Sequence, residues 1–188
     1  MKKTLTLLTV ILFTACSGLS NDGERILDTR ETSYEQADFS ILIDSDWEII
    51  EKNQFTSSVP KNTVVVFRNN MQNEIFTANI NISKITINDN STAKDFALNS
   101  IEEAKNNLNS FTDISSEEYQ IPQIENSVPA YRIVFQGKES PSSVKVRFDQ
   151  IFVINNGVGY TITGAYMPKE EENIVNNIKE MIESFSLN

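Results

Sequence analysis

Histidine is missing altogether from this chain of 188 residues, and that gap removes a large share of enzyme chemistry. Ser-His-Asp and Cys-His nucleophile activation have no base, and His-ligated metal centres have no ligand. A zinc or copper site would have to be assembled from carboxylates, a donor set those ions rarely take alone. Proton transfer near neutral pH loses its commonest carrier, although enzymes without histidine exist that use carboxylate pairs or Ser-Lys dyads. Cysteine is nearly missing too. Cys16 stands alone, so no intramolecular disulfide braces the fold and stability rests on the apolar core. No apolar run approaches the roughly twenty residues that a membrane-spanning helix needs. Positive charge is scarce: 16 Lys and Arg stand against 26 Asp and Glu, a net charge of -10. A surface of that sign repels nucleic acid and anionic lipid head groups, which argues against electrostatic binding to either. Internal repeats and low-complexity blocks are absent as well, although asparagine is abundant.

What is present begins at the N-terminus. Lys2 and Lys3 precede a short apolar run over residues 4–13, and Thr14-Ala15-Cys16 follows. A charged start, an apolar middle and a small-residue cleavage site make a secretory signal. A cysteine directly after the cut resembles a bacterial lipobox, with Phe13 where Leu is usual. The expected organisation is a signal peptide over 1–15, a lipidated Cys16 opening a flexible tether over 16–37, and one domain over 38–188. A single acyl chain anchors only marginally, at ~0.8 kcal/mol per buried methylene. The three chains typical of bacterial lipoproteins would make the anchor permanent. Ser17 after the cysteine resembles the outer-membrane sorting class, facing the periplasm if the cell is Gram-negative. Cleavage removes Lys2 and Lys3, so the mature chain is two charges more acidic than the whole sequence. Roughly 170 residues then remain, enough for one domain with a sizeable core.

Along that domain the apolar period changes in an interpretable order. The tether mixes Asp, Glu, Arg, Ser and Thr, with a short helix expected near residues 24–27. Phe39-Ser40-Ile41-Leu42-Ile43 reads as a strand stopped by Asp44-Ser45-Asp46, and Trp47, the lone tryptophan, leads into another over 48–51. Thr63-Val64-Val65-Val66-Phe67 is β-branched and reads as buried strand closed by Asn69-Asn70. Over residues 74–87, Phe76, Ala78, Ile80 and Ile82 alternate with polar residues, as a half-buried strand does. From Ser91 the period becomes helical: Ala93, Ala97, Ile101, Ala104 and Leu108 draw one stripe, widened by Phe96. Thr92 and Asp95 form a capping arrangement at its start.

Strand returns over 119–124 and 130–136, with Tyr131, Ile133 and Phe135 on one face. A polar loop over 137–143 follows, and then a strand over 144–154. Asn156-Gly157 is a hairpin turn signal, and its return strand over 158–166 points Tyr160, Ile162 and Tyr166 to one side. Pro168 is expected to open a last helix with Glu170, Glu171 and Glu172 in its first turn. Its buried stripe is Ile174, Ile178, Met181, Ile182 and Phe185. Strands, helix, strands, helix predicts an α+β fold, an antiparallel β-sheet packed by helices.

The opening strand and turn Phe39-Ser40-Ile41-x-Ile43-x-x-x-Trp47, the mid-chain amphipathic helix, and the closing Gly159-Tyr160-Thr161-Ile162-Thr163-Gly164 with Met181-Ile182-x-Ser184-Phe185 resemble the PsbP-like superfamily. That group includes the DcrB-like bacterial envelope lipoproteins, which the lipobox-like start of this chain also resembles. The resemblance spans about residues 39–187 and rests on aromatic and apolar core positions. Asp44 and Asp46 stand where relatives often have Pro and Gly. It implies a PsbP-like α/β/α sandwich, action by binding other proteins, and no shared catalytic residue set or cofactor.

Several constellations are candidates for chemistry. Asp44-x-Asp46-x-Glu48 looks like the start of a calcium loop but lacks the later Gly and Glu, with Ile49 and Phe55 in those places; a solvated turn is the simpler reading. Trp47, Tyr160 and Tyr166 could stack on a sugar or peptide, or lie in the core. Glu102 and Glu103 read as the exposed side of the middle helix. Lys84, Lys145 and Arg147 interrupt half-buried strands and mark either a partner-covered or a merely wetted sheet face.

The leading expectation is a non-catalytic, lipid-anchored envelope domain that binds a protein partner. The alternatives are a carrier of an apolar or sugar-like small ligand, a carboxylate-based hydrolase, and an effector chaperone of the same fold without lipid on Cys16.

Overall fold

The computed structural model describes residues 32–87, 90–121 and 127–188. The expected signal, Cys16 and most of the tether lie outside the described residues. The tether's last residues do not: Thr32–Glu35 is a strand, β1, pairing antiparallel with β2, Phe39–Ile43. Tyr34 accounts for it, since its ring is buried against Phe39 and Phe67, and one aromatic in a polar segment leaves no period to read.

β3 (Trp47–Glu51), β4 (Thr63–Asn69) and β5 (Asn79–Thr86) follow, then α1 (Ala93–Asn107). β6 (Asn109–Ile121), β7 (Val128–Lys138), β8 (Val146–Asn155) and β9 (Val158–Tyr166) come next, then α2 (Glu172–Glu183) and β10 (Ser186–Leu187). The larger sheet has seven antiparallel strands in the order β3-β4-β5-β9-β8-β7-β6, and β1-β2-β10 forms a smaller one. Alternation along the strands sends side chains to two faces, and each face is covered. Ile80, Ile82, Ile151, Val153, Tyr160 and Ile162 pack under α2 and the small sheet. Tyr131, Ile133, Phe135, Phe148 and Phe152 pack under Phe96, Ala97, Ile101 and Ala104 of α1. The result is the expected α+β sandwich, with the seven-stranded sheet in the middle.

Local chemistry sets the element ends. The Asp95 amide donates to Thr92 Oγ1 at 3.1 Å and the Thr92 amide to Asp95 Oδ2 at 3.1 Å, the reciprocal capping box that starts α1. Asn156 and Gly157 take φ of 49° and 73°, the left-handed pair that a two-residue hairpin between β8 and β9 requires.

Three expectations are corrected. α2 begins at Glu172, with Glu171 as its N-cap, so only Glu172 lies in the first turn; after Pro168 the Glu170 amide instead closes a turn on Met167 O at 3.0 Å. Phe76 does not share a face with Ala78, Ile80 and Ile82. β5 begins only at Asn79, and the irregular chain before it, held by the Ile75 amide donating to Asn73 Oδ1 at 2.8 Å, turns Phe76 into the α1 core. β6 starts ten residues before the expected strand, at Asn109 rather than Tyr119.

Candidate interaction edge

The sequence candidates for an ion site do not converge. Asp44 Oδ1 accepts the Asp46 amide at 2.8 Å, and its other oxygen accepts Asn177 Nδ2 at 2.9 Å. Glu48 instead pairs with Arg68, which lies opposite it on β4. Among the described residues no group of three or more Asp, Glu, Cys or His side chains could hold a metal ion. Trp47, Tyr160 and Tyr166 are all core residues, at most 5% exposed, so they offer no stacking surface. Glu102 is exposed and pairs with Lys105 at 2.8 Å, whereas Glu103 is half-buried and burial raises its carboxyl pKa.

Lys84 and Arg147 are not one cationic face. Lys84 lies opposite Tyr160, and Arg147 opposite Tyr166, at the other end of β9; at ~3.3 Å per residue that separates them by roughly 20 Å. Lys84 Nζ is bound to Asp38 at 2.6 and 2.8 Å. Arg147 Nη2 donates to Gln136 Oε1 at 3.4 Å. Lys145 precedes β8 and is partly exposed.

Two polar clusters that sequence reasoning missed hold the layers together. Arg132 on β7 donates from Nε and Nη2 to both oxygens of Asp149 on β8, at 2.8 and 2.7 Å. Its Nη1 reaches Glu183 of α2 at 2.7 Å. The Asp149 side chain is 2% exposed and that of Arg132 11%, so the pair is a desolvated clamp between sheet and helix. The Asp149 bonds lift the guanidinium pKa further than burial lowers it, and Glu183 adds to the lift. The only sequence signal was an Arg between Tyr131 and Ile133 and an Asp in the buried run of β8. The second cluster lies under the small sheet. Tyr160 donates to Asp38 Oδ2 at 2.7 Å, and Lys84 sits over the Phe39 ring at 4.7 Å. Burial pushes the Tyr160 phenol above its ordinary range, and the bond to and charge of Asp38 push it further.

The feature with room for a partner is the far edge of the large sheet. β6 is 13 residues long, with only Ile121 buried. It pairs with β7 alone, and among the described residues no strand lies on its outer side. Two register shifts, between Asn109 and Thr112 and between Asp113 and Ser115, distort its first half, where Ser110 has φ of 54°. From Ser115 to Ile121 the pairing with β7 is regular. Most of this strand is exposed, with Phe111 stacked on Phe135 near its start and Tyr119 and Ile121 packed on the core at its end. The polar stretch between them carries no apolar alternation, which is why periodicity missed most of it. Beside it lies an open crevice of about 310 Å³, lined by Glu118, Tyr119 and Gln120 of β6, Pro129 and Tyr131 of β7, and Lys94 of α1. Glu118 lies opposite Tyr131 and Gln120 opposite Pro129 across the β6–β7 ladder, so the crevice opens on the α1-facing side of that strand pair. Lys94 Nζ stands 5.6 Å from the centre of the Tyr131 ring.

No protein-family model and no curated protein sequence matches the chain. Solved structures do. Cyanobacterial PsbP (CyanoP) from Synechocystis sp. PCC 6803 aligns with a TM-score of 0.61 at 14% identity, over 90% of this chain and 99% of that one. LpqN, involved in cell envelope biogenesis of Mycobacterium tuberculosis, aligns with a TM-score of 0.55 at 13% identity, over 86% and 92%. A Pseudomonas aeruginosa protein of unknown function, a putative regulator, aligns with a TM-score of 0.54 at 14% identity, over 82% and 94%. At such identities the likeness is one of fold, and with the layered sheet, the two helices and the sequence motifs it shows that this chain has the PsbP-like fold.

Proposed function

We propose that this chain is a lipid-anchored protein of the bacterial cell envelope whose PsbP-like domain binds another protein through the β6 edge and catalyses nothing. The observation that carries the binding role is β6 itself, exposed along most of its length and unpaired on its outer side among the described residues. A row of unpaired N–H and C=O groups is a template for an incoming strand, and main-chain bonds made there need no deep pocket. The envelope location rests on Lys2, Lys3 and the lone Cys16, and likeness in fold to LpqN is consistent with it. Lipid on Cys16 holds the domain at the membrane, where its acidic surface would otherwise be repelled by anionic head groups.

Two measurements test this. An alkyne analogue of palmitate should label the parent chain in cells and fail to label Cys16→Ser; equal labelling of both would overturn the anchor. A photoreactive residue at Ser116 on β6 should give one dominant protein adduct in intact cells, and one at exposed Lys179 on α2 should not. Adducts from Lys179 and none from Ser116 would remove β6 as the interaction surface.

A further inference from the structure

Resting on that reading, we propose that the occupant of the β6 edge is an extended basic segment of another protein. It adds as an eighth strand along residues 115–121 and seats one long basic side chain in the crevice beside Glu118.

The length of the site comes from the backbone. The two register shifts twist the first half of β6 away from regular pairing, as bulges at sheet edges do. Residues 115–121 stay in register with β7 and offer a straight template of roughly 23 Å at ~3.3 Å per residue.

The charge of the occupant comes from the side chains. β6 carries Asp113, Glu117 and Glu118 and no Lys or Arg. Glu117 and Glu118 are adjacent, so they lie on opposite faces of the sheet. An added strand meets a carboxylate on either face, and adjacent basic residues, one per face, satisfy both. The crevice holds Glu118 as its one carboxylate, with Lys94 of α1 also in its lining. Pro129 and Tyr131 in its lining offer apolar surface on which an aliphatic stem can lie, and Glu118 offers a carboxylate for its head group.

The same charges turn away a second copy of this chain. Antiparallel pairing of residues 115–121 with themselves centres on Glu118, placing it against its own copy. Like charges directly opposite one another destabilise a strand pair. The edge is thereby guarded against self-association and left open to a strand of opposite sign.

The test uses the full chain in mild detergent and a short synthetic peptide of valine and threonine with a central lysine–arginine pair. Two counterparts serve as controls: one with glutamates for the basic pair, and one N-methylated at alternate amides, which keeps the charge but cannot donate strand hydrogen bonds. Hydrogen exchange should slow over residues 115–121 with the basic peptide alone. Glu117→Gln with Glu118→Gln should weaken its binding tenfold or more, and binding should weaken as salt rises. Several results would overturn the proposal: equal binding of either counterpart, protection spread over other acidic surfaces, a concentration-dependent dimer protected at β6, or a small molecule co-purifying in the crevice. If the peptide fails while the Ser116 adduct with a partner protein persists, the edge stands and its basic occupant falls. If both fail, the interaction reading falls with it.

Discussion

Replacing Arg132 by Met should be among the most damaging single changes in this domain, and its cost follows from the geometry. Asp149 is 2% exposed and both its oxygens are bound by one guanidinium. Methionine fills much of the volume of the lost stem but leaves a carboxylate buried without a partner. Breaking a buried pair in this way costs about 3–5 kcal/mol. The bond to Glu183, whose side chain is 43% exposed, adds at most ~1 kcal/mol. In a domain of this size 1 kcal/mol moves Tm by roughly 2–4 °C, so a loss of ~4 kcal/mol lowers it by roughly 8–16 °C. Urea unfolding of Arg132→Met, Asp149→Leu, the double variant and Glu183→Gln would measure the cycle. The double variant should recover most of the loss, because two apolar residues leave no charge to desolvate. Glu183→Gln should lose under ~1 kcal/mol. A loss below ~1 kcal/mol in Arg132→Met, or a double variant no more stable than the singles, would refute the reasoning and show that water reaches Asp149.

Other perturbations have equally direct readings. A Cβ on Gly164 would overlap Ile178 Cγ2, so Gly164→Ala should push α2 off β9 and cost about 1–3 kcal/mol by urea unfolding. An added Ile178→Ala should not deepen that loss additively. Thr92→Ala removes the α1 cap and should cost ~1 kcal/mol in the same assay. Although burial raises the Asp38 pKa, the bonds from Lys84 and Tyr160 and the Lys84 charge lower it more, and the net value is below the usual aspartate range. Its stabilisation is therefore present above that range and lost as pH falls through the folded value, so Asp38→Asn should flatten the acid limb of Tm against pH. Tyr160 has the opposite sign: its raised folded pKa leaves its contribution whole below about pH 10 and lost as pH climbs beyond. Tyr160→Phe should remove one late-titrating phenol from the ultraviolet titration and soften the alkaline loss of Tm.

The elements legible in the sequence were those whose neighbours impose a period. α1 is pressed against one layer, so Ala97, Ile101 and Ala104 recur at helical spacing; β9 is covered on both faces, and Tyr160, Ile162 and Tyr166 recur at strand spacing on the one beneath α2. Asn156-Gly157 was legible because few residue pairs tolerate two positive φ values in succession. β1 and β10 escaped notice because four and two residues are too short to carry a pattern. β10 exists because the end of α2 delivers Ser186 beside Ser40 of β2, 2.7 Å between their hydroxyls. The candidate site was illegible for a different reason. Exposure over most of residues 109–118 leaves that part of β6 without the alternation by which strands are recognised, and only its end, from Tyr119, reads as strand.

By itself, then, the amino-acid sequence determined the acidity of the chain, the lack of histidine chemistry, the lipobox-like N-terminus and the α+β class, because each is a property of composition or of a local period. Only the tertiary structure decided that β9 lies between β5 and β8, that β6 ends the sheet among the described residues, that Asp44 binds Asn177 while Glu48 pairs with Arg68, and that Arg132 meets Asp149. Those outcomes depend on which strands become neighbours. Strand order is set by the burial of two opposite faces of one sheet against different helices, a condition shared by residues more than a hundred positions apart, as in the bond between Tyr160 and Asp38, and not contained in any local window of the chain.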